Sequence, residues 1–69
     1  MKLSARNVLK GTVSKIVPGS VNSEVTLQIA GGAEIVSIIS KEAVANLGLT
    51  VGMTAYAVIK ASNVIVAVD

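Results

Sequence analysis

The feature that most constrains this chain is the brevity of its apolar runs, each broken by glycine, serine, threonine or a charged residue. Val25, Leu27 and Ile29 alternate with Glu24, Thr26 and Gln28, and Gly31-Gly32 follows after Ala30. Successive side chains of a strand face opposite ways, so a period of two puts the aliphatic residues on one face and the polar ones on the other. Glycine takes the positive φ of a tight hairpin, so residues 33–39 read as the return strand. Residues 7–17 roughly alternate as well, rich in Val and Thr, until Pro18-Gly19-Ser20 turns the chain.

A different local signal starts at Ser40. Ser40-Lys41-Glu42-Ala43-Val44-Ala45-Asn46-Leu47-Gly48 has an N-cap serine, an acid in the first turn and a glycine stop. One or two helical turns fit, with Val44 and Leu47 on the face expected to be buried. Thr50-Val51-Gly52 then turns into a strand over 53–59. Lys60-Ala61-Ser62-Asn63 is a polar break, and residues 64–68 read as a last strand, apolar on both sides and so expected to be buried on both, one side against another subunit. The expected fold is all-β: a single domain over 1–69, a small five-stranded OB-like barrel with one short helix between strands 3 and 4, plugging one end. An SH3-like barrel is the second architecture that fits the strand count.

Composition decides what can stabilise such a barrel. With 69 residues and no cysteine, no disulfide framework or thiolate metal site is open to it, and the lack of histidine removes the usual zinc ligand and general base. Small chains of this kind are marginal alone. Hydrophobic residues make up 52% of the chain and charged ones 14%, too few to cover a small monomer, so a homo-oligomer is expected. No segment approaches the roughly 20 apolar residues of a membrane span, and no signal-peptide core is evident; no membrane association and a cytoplasmic location are expected. Nucleic-acid binding is disfavoured, because the net charge is only +2, the basic residues are scattered, and Tyr56 is the sole aromatic available for stacking.

Three polar clusters interrupt the aliphatic background. Ser4 and Arg6 lie two apart, so they share a face in extended chain and present a hydroxyl and a planar fork of donors to one small target, with Asn7 beside them. Ser40 and the start of its helix offer a hydroxyl and N–H groups, that of Ala43 among them. Lys60, Ala61 and Ser62 offer a point charge, an N–H and a hydroxyl. Each cluster also has a plain structural reading: a surface salt bridge, an ordinary helix cap and a solvated turn. Lys15, Lys41 and Glu42 read as solvent-facing charges, and Met53 and Tyr56 as packing. Taken together the clusters are all donors, while Glu24, Glu34, Glu42 and Asp69 lie apart from them in sequence. A site of this composition suits a compact anion. It holds no nucleophile–base pair and no ligands for a metal cation, so catalysis is not expected.

Ser4-Ala5-Arg6-Asn7 followed by Leu9-Lys10-Gly11, with Gly31-Gly32, Ser37-Ile38-Ile39-Ser40, Leu47-Gly48 and Ala57-Val58-Ile59-Lys60-Ala61, resembles the molbindins, the small Mop proteins built from one TOBE-type domain. The resemblance covers nearly the whole chain. It implies an OB-like barrel that binds molybdate or tungstate, with no organic cofactor, in a homo-oligomer, a hexamer, whose oxyanions sit at subunit interfaces for storage or homeostasis. Ser4, Arg6, Lys60 and the backbone at Ala61 would then line one wall, with Ser62 offering a further hydroxyl beside them, and Ser40 and the N–H groups of its helix start, that of Ala43 among them, would come from a neighbouring subunit. Some relatives carry a second hydroxyl at the position of Ala43, where only the N–H is available here. The readings from other classes are an OB-fold nucleic-acid-binding module and a structural oligomerisation domain without ligand.

Overall fold

A computed structural model describes residues 1–69. The four strands β1 (Asn7–Pro18), β2 (Asn22–Ile29), β3 (Glu34–Ser40) and β4 (Thr54–Ile59) form one antiparallel sheet in the order β3-β2-β1-β4, and α1 (Lys41–Leu47) lies between β3 and β4. The turns expected from the sequence are in place. Gly31 and Gly32 have φ of 94° and 96°, and the Ile29 N–H reaches the Ala33 carbonyl at 2.7 Å to close the β2–β3 hairpin.

The long β1 serves two neighbours. Its first half, Asn7 to Thr12, pairs with β4, and from Gly11 to Pro18 it pairs with β2, with a bulge between Val13 and Lys15. A bulge bends and twists the strand that carries it, which curls the sheet. At the changeover sits Gly11: a Cβ there would lie 2.7 Å from the Gln28 carbonyl oxygen and 2.8 Å from Ile29 Cδ1, so the strands approach closely because this residue has no side chain. The concave face gathers a core of Val13, Val25, Leu27 and Ala57, with Ile16, Ile29, Ile35, Ile39 and Val44 packed against it.

Two expectations are corrected. The fifth strand does not form: residues 64–68 continue beyond a 3₁₀ turn (Ala61–Asn63) without joining the sheet, which has four strands. Val64 is extended, with φ −90° and ψ 124°, and within the single chain Ile65, Val66 and Val68 are 92%, 85% and 93% exposed. Strand propensity supplies the backbone conformation, but a strand also needs an edge to pair with, and the segment leaves its own sheet. The fold is therefore mostly β rather than all-β in five strands. Second, Leu47 is exposed, and of the expected helix face only Val44 packs on the core; Leu47 is the last residue of α1, directly before the left-handed cap at Gly48.

The core is small for the apolar content. A compact monomer of 7.0 kDa exposes about 4,000 Å² by the usual scaling with mass, whereas this chain exposes 5301 Å². Much of the excess is aliphatic, at Val36, Ile38, Val58 and the 64–68 segment. No helix is long and apolar enough to cross a membrane.

Candidate functional site

The register of β1 on β4 decides which polar residues meet. Asn7 pairs with Ile59, Val8 with Val58 and Leu9 with Ala57. Continued past the end of the ladder, that register sets Arg6 beside Lys60, and Ser4 and Ala5 beside Ala61 and Ser62. These six residues line one open cavity of about 350 Å³. Two of the three clusters recognised in the sequence, far apart along the chain, are thus one cluster in space. The Asn7 side chain holds them together: its Nδ2 donates to the Ile59 carbonyl oxygen at 3.2 Å, directly behind Arg6 and Lys60. Asn7 stands beside the donor pair in sequence, but its role is that of a clasp, legible only once the partner strand is known.

The electrostatics of the cavity are one-sided. Arg6 and Lys60 both line it and no carboxylate does. Two like charges set side by side are unfavourable by themselves. Neither cation takes part in the protein's side-chain hydrogen bonds, which involve Asn7, Ser14, Ser40 and Met53. Ser4, Arg6, Lys60, Ala61 and Ser62 are all exposed. The wall can therefore present two cations and two hydroxyls to an anion with the far side open. Its only apolar lining is Ala5 and Ala61, small enough to leave the backbone accessible and too small to stack on a ring.

Ser40 and Ala43 are not in this cavity. Ser40 pairs with Asn22, next to the Pro18 end of β1, whereas Arg6 precedes the Asn7 end. The two clusters of one chain occupy opposite ends of the curled sheet. Ser40 caps α1 from an extended conformation, its Oγ accepting from the Ala43 N–H at 3.0 Å. The Lys41 N–H is also used, donating to the Val21 carbonyl at 3.0 Å. What Ser40 retains is its own O–H, since a hydroxyl that accepts one bond can still donate. Lys15, Lys41 and Glu42 are exposed, Met53 packs against the core and Tyr56 is 49% exposed. No group of three or more His, Cys, Asp or Glu is arranged to hold a metal ion.

Comparison with known proteins agrees over the whole chain. The TOBE domain profile matches residues 3–66. A probable molybdenum-pterin-binding protein of Haemophilus influenzae is 52% identical over 69 residues, covering 100% of both chains. Among solved structures, MopII from Clostridium pasteurianum superposes with a TM-score of 0.92 at 45% identity, covering 97% of this chain and 100% of that one. The cytoplasmic molybdate-binding protein ModG, solved with molybdate bound, gives a TM-score of 0.91 at 63% identity, covering 94% of this chain and 46% of the longer ModG chain. With the profile, the full-length relative and the matching folds in agreement, the chain belongs to the TOBE-domain family and, within it, to the single-domain Mop proteins.

Proposed function

We propose that this chain is a cytoplasmic protein that binds molybdate or tungstate reversibly at the interfaces of a homo-oligomer, a hexamer, and so stores or buffers the oxyanion without transforming it. The observation that carries the reading is the meeting of Arg6 and Lys60 over a cavity lined by Ser4 and Ser62 and by no carboxylate. Desolvating a dianion is costly unless charge and hydrogen bonds are returned to it. Arg6 and Lys60 return the charge; Ser4, Ser62 and the N–H of Ala61 return hydrogen bonds. Ser40 of a neighbouring subunit completes the shell through its O–H, with the Ala43 N–H behind it fixing the direction in which that proton points.

The names of the relatives and the molybdate-bound ModG structure support this choice of anion. The relatives' names also mention a pterin. The lining of this cavity offers no aromatic or broad apolar surface for a fused ring, and the inorganic anion alone is the ligand in this reading. Binding rather than catalysis follows from the same lining, which lacks a base to activate a hydroxyl. Selectivity over sulfate comes from size, because the larger tetrahedral anions reach donors on both walls at once. Equilibrium dialysis of the purified protein against molybdate, tungstate and sulfate is the test. Retention of the first two well above sulfate is expected; equal retention of all three, or of none, overturns the proposal.

A further inference from the structure

Folding treats the donors and the acceptors on the Lys60 side of the cavity differently. Three successive carbonyls there are already engaged. That of Ile59 accepts from Asn7 Nδ2 at 3.2 Å, that of Lys60 from the Asn63 N–H at 2.9 Å, and that of Ala61 from the Val64 N–H at 3.2 Å. The last two bonds belong to the 3₁₀ turn (Ala61–Asn63), so the turn that carries Ser62 into the cavity also occupies the carbonyls beside it. No carboxylate and no side-chain amide lines the cavity; its polar side chains are those of Ser4, Arg6, Lys60 and Ser62. Arginine and lysine have donors and no acceptor. Ser40, which the proposed function brings from a neighbouring subunit, follows the same pattern: its Oγ accepts from the Ala43 N–H at 3.0 Å, and its O–H is what it has left to give.

Such a distribution separates ligands that shape and charge do not. Hydrogenphosphate and hydrogenarsenate are tetrahedral dianions, but one oxygen of each still carries a hydrogen. That O–H needs an acceptor when the anion leaves water, and a group left without its bond is costly. A Ser4 or Ser62 hydroxyl that accepts it must turn its own proton away, and the anion then loses a donor. Molybdate, tungstate and selenate carry no hydrogen at neutral pH, so all of their oxygens can accept. We infer that the cavity selects oxyanions by protonation as well as by size, taking tetrahedral dianions without an O–H and rejecting hydrogenphosphate and hydrogenarsenate. This deepens the oxyanion reading and rests on it. Size sets molybdate apart from sulfate; the missing acceptor sets it apart from arsenate.

Selenate and arsenate distinguish the two criteria, because arsenate is the slightly larger anion and both carry two negative charges in mildly alkaline buffer. The full-length protein is loaded with molybdate in equilibrium dialysis and challenged with each. Selenate is expected to displace molybdate at a concentration at least about tenfold below that needed for arsenate. Arsenate displacing molybdate as well as selenate does, whether because size alone decides or because Glu42 beside Ser40 accepts the proton, overturns the inference. Displacement by neither also overturns it, since size then excludes both. Ser62→Asp, checked for folding by circular dichroism, puts an acceptor in the cavity. Its charge weakens both dianions, so the readout is their ratio, and arsenate should gain on selenate by roughly tenfold. Ser62→Asn supplies an acceptor without the charge and should move the ratio the same way by less. A ratio unmoved in both variants overturns the inference while the oxyanion reading stands. A parent chain that retains no molybdate overturns that reading, and the inference with it.

Discussion

The two ends of the curled sheet carry similar donors in opposite states. At the Asn7 end, Arg6 and Lys60 line an open cavity and make no side-chain hydrogen bond within the chain. At the Pro18 end, Ser40 Oγ is engaged by Ala43, the Lys41 N–H by Val21, and Glu42 brings a negative charge into the first turn of α1. A donor contributes to binding only to the extent that folding leaves it unused, because a bond already made must be broken first. In the proposed reading the first end is therefore the main source of attraction for an anion, and the second is a stable cap with one proton to spare.

The sharpest way to break this contrast is to remove charge from the first end. Arg6→Ala deletes a charge-assisted donor, worth about 1.5–3 kcal/mol, so molybdate affinity should fall by roughly 10- to 100-fold in equilibrium dialysis. Assembly, followed by native mass spectrometry, should persist, because Arg6 precedes the β1–β4 ladder rather than joining it. A variant that dissociates into monomers would make Arg6 a structural residue and remove the asymmetry between the ends.

Next in size is the connection between the ends. Gly11→Ala forces a methyl group within 2.7 Å of the Gln28 carbonyl oxygen, and backbone must move to admit it. Overpacking of this kind costs about 1–3 kcal/mol, which in a domain of this size lowers Tm by roughly 4–8 °C for each kcal/mol. If the curl at Gly11 is what holds the two walls in their places, thermal stability and molybdate retention should decline together. A change in Tm with full retention would show that the ends are positioned independently.

Much of this was legible in the residues. Alternation at 24–29, the Gly31-Gly32 hairpin and the Ser40 cap are local signals with local causes, and each appears where its residues predict. The joining of Ser4 and Arg6 to Lys60, Ala61 and Ser62 depends on β1–β4 register, a relation between residues more than fifty positions apart; the resemblance to the molbindins supplied it, since neither run contains it alone. Residues 64–68 show the limit. Their sequence specifies an extended apolar strand, and the backbone at Val64 is extended, but pairing is a property of two edges. Leu47 teaches the same lesson on a smaller scale, since a period of three predicts a face without saying how far that face reaches over the core.

The second end can be probed by separating its two roles. Ser40→Ala removes the cap acceptor for Ala43 and should cost about 1 kcal/mol of stability. Ser40→Asp keeps an acceptor of comparable capping quality but takes away the spare proton and adds a negative charge. Urea midpoints should therefore fall for Ser40→Ala and hold for Ser40→Asp, while dialysis shows the larger loss of molybdate for Ser40→Asp. Two variants that lose molybdate in proportion to stability would reduce Ser40 to a helix cap and leave the Asn7 end as the whole site.

The smallest effect is expected at the clasp behind the cavity. Asn7 Nδ2 donates to the Ile59 carbonyl at 3.2 Å, a neutral bond of ordinary worth, about 0.5–1.5 kcal/mol. Asn7→Ala leaves both cations and both hydroxyls in the sequence, so any loss of affinity must come from their spacing. Each unclasped chain would let the end of β4 drift from β1, and with it Lys60 from Arg6, lowering molybdate affinity by a factor of roughly 2–10. Nuclear magnetic resonance of backbone amides gives an independent readout: in the absence of molybdate, shifts at Ile59, Lys60 and Ala61 should move and those at Ser40 and Ala43 should not. The converse, or a disturbance reaching α1, would mean that the two ends are mechanically one unit despite the distance along β1 between them.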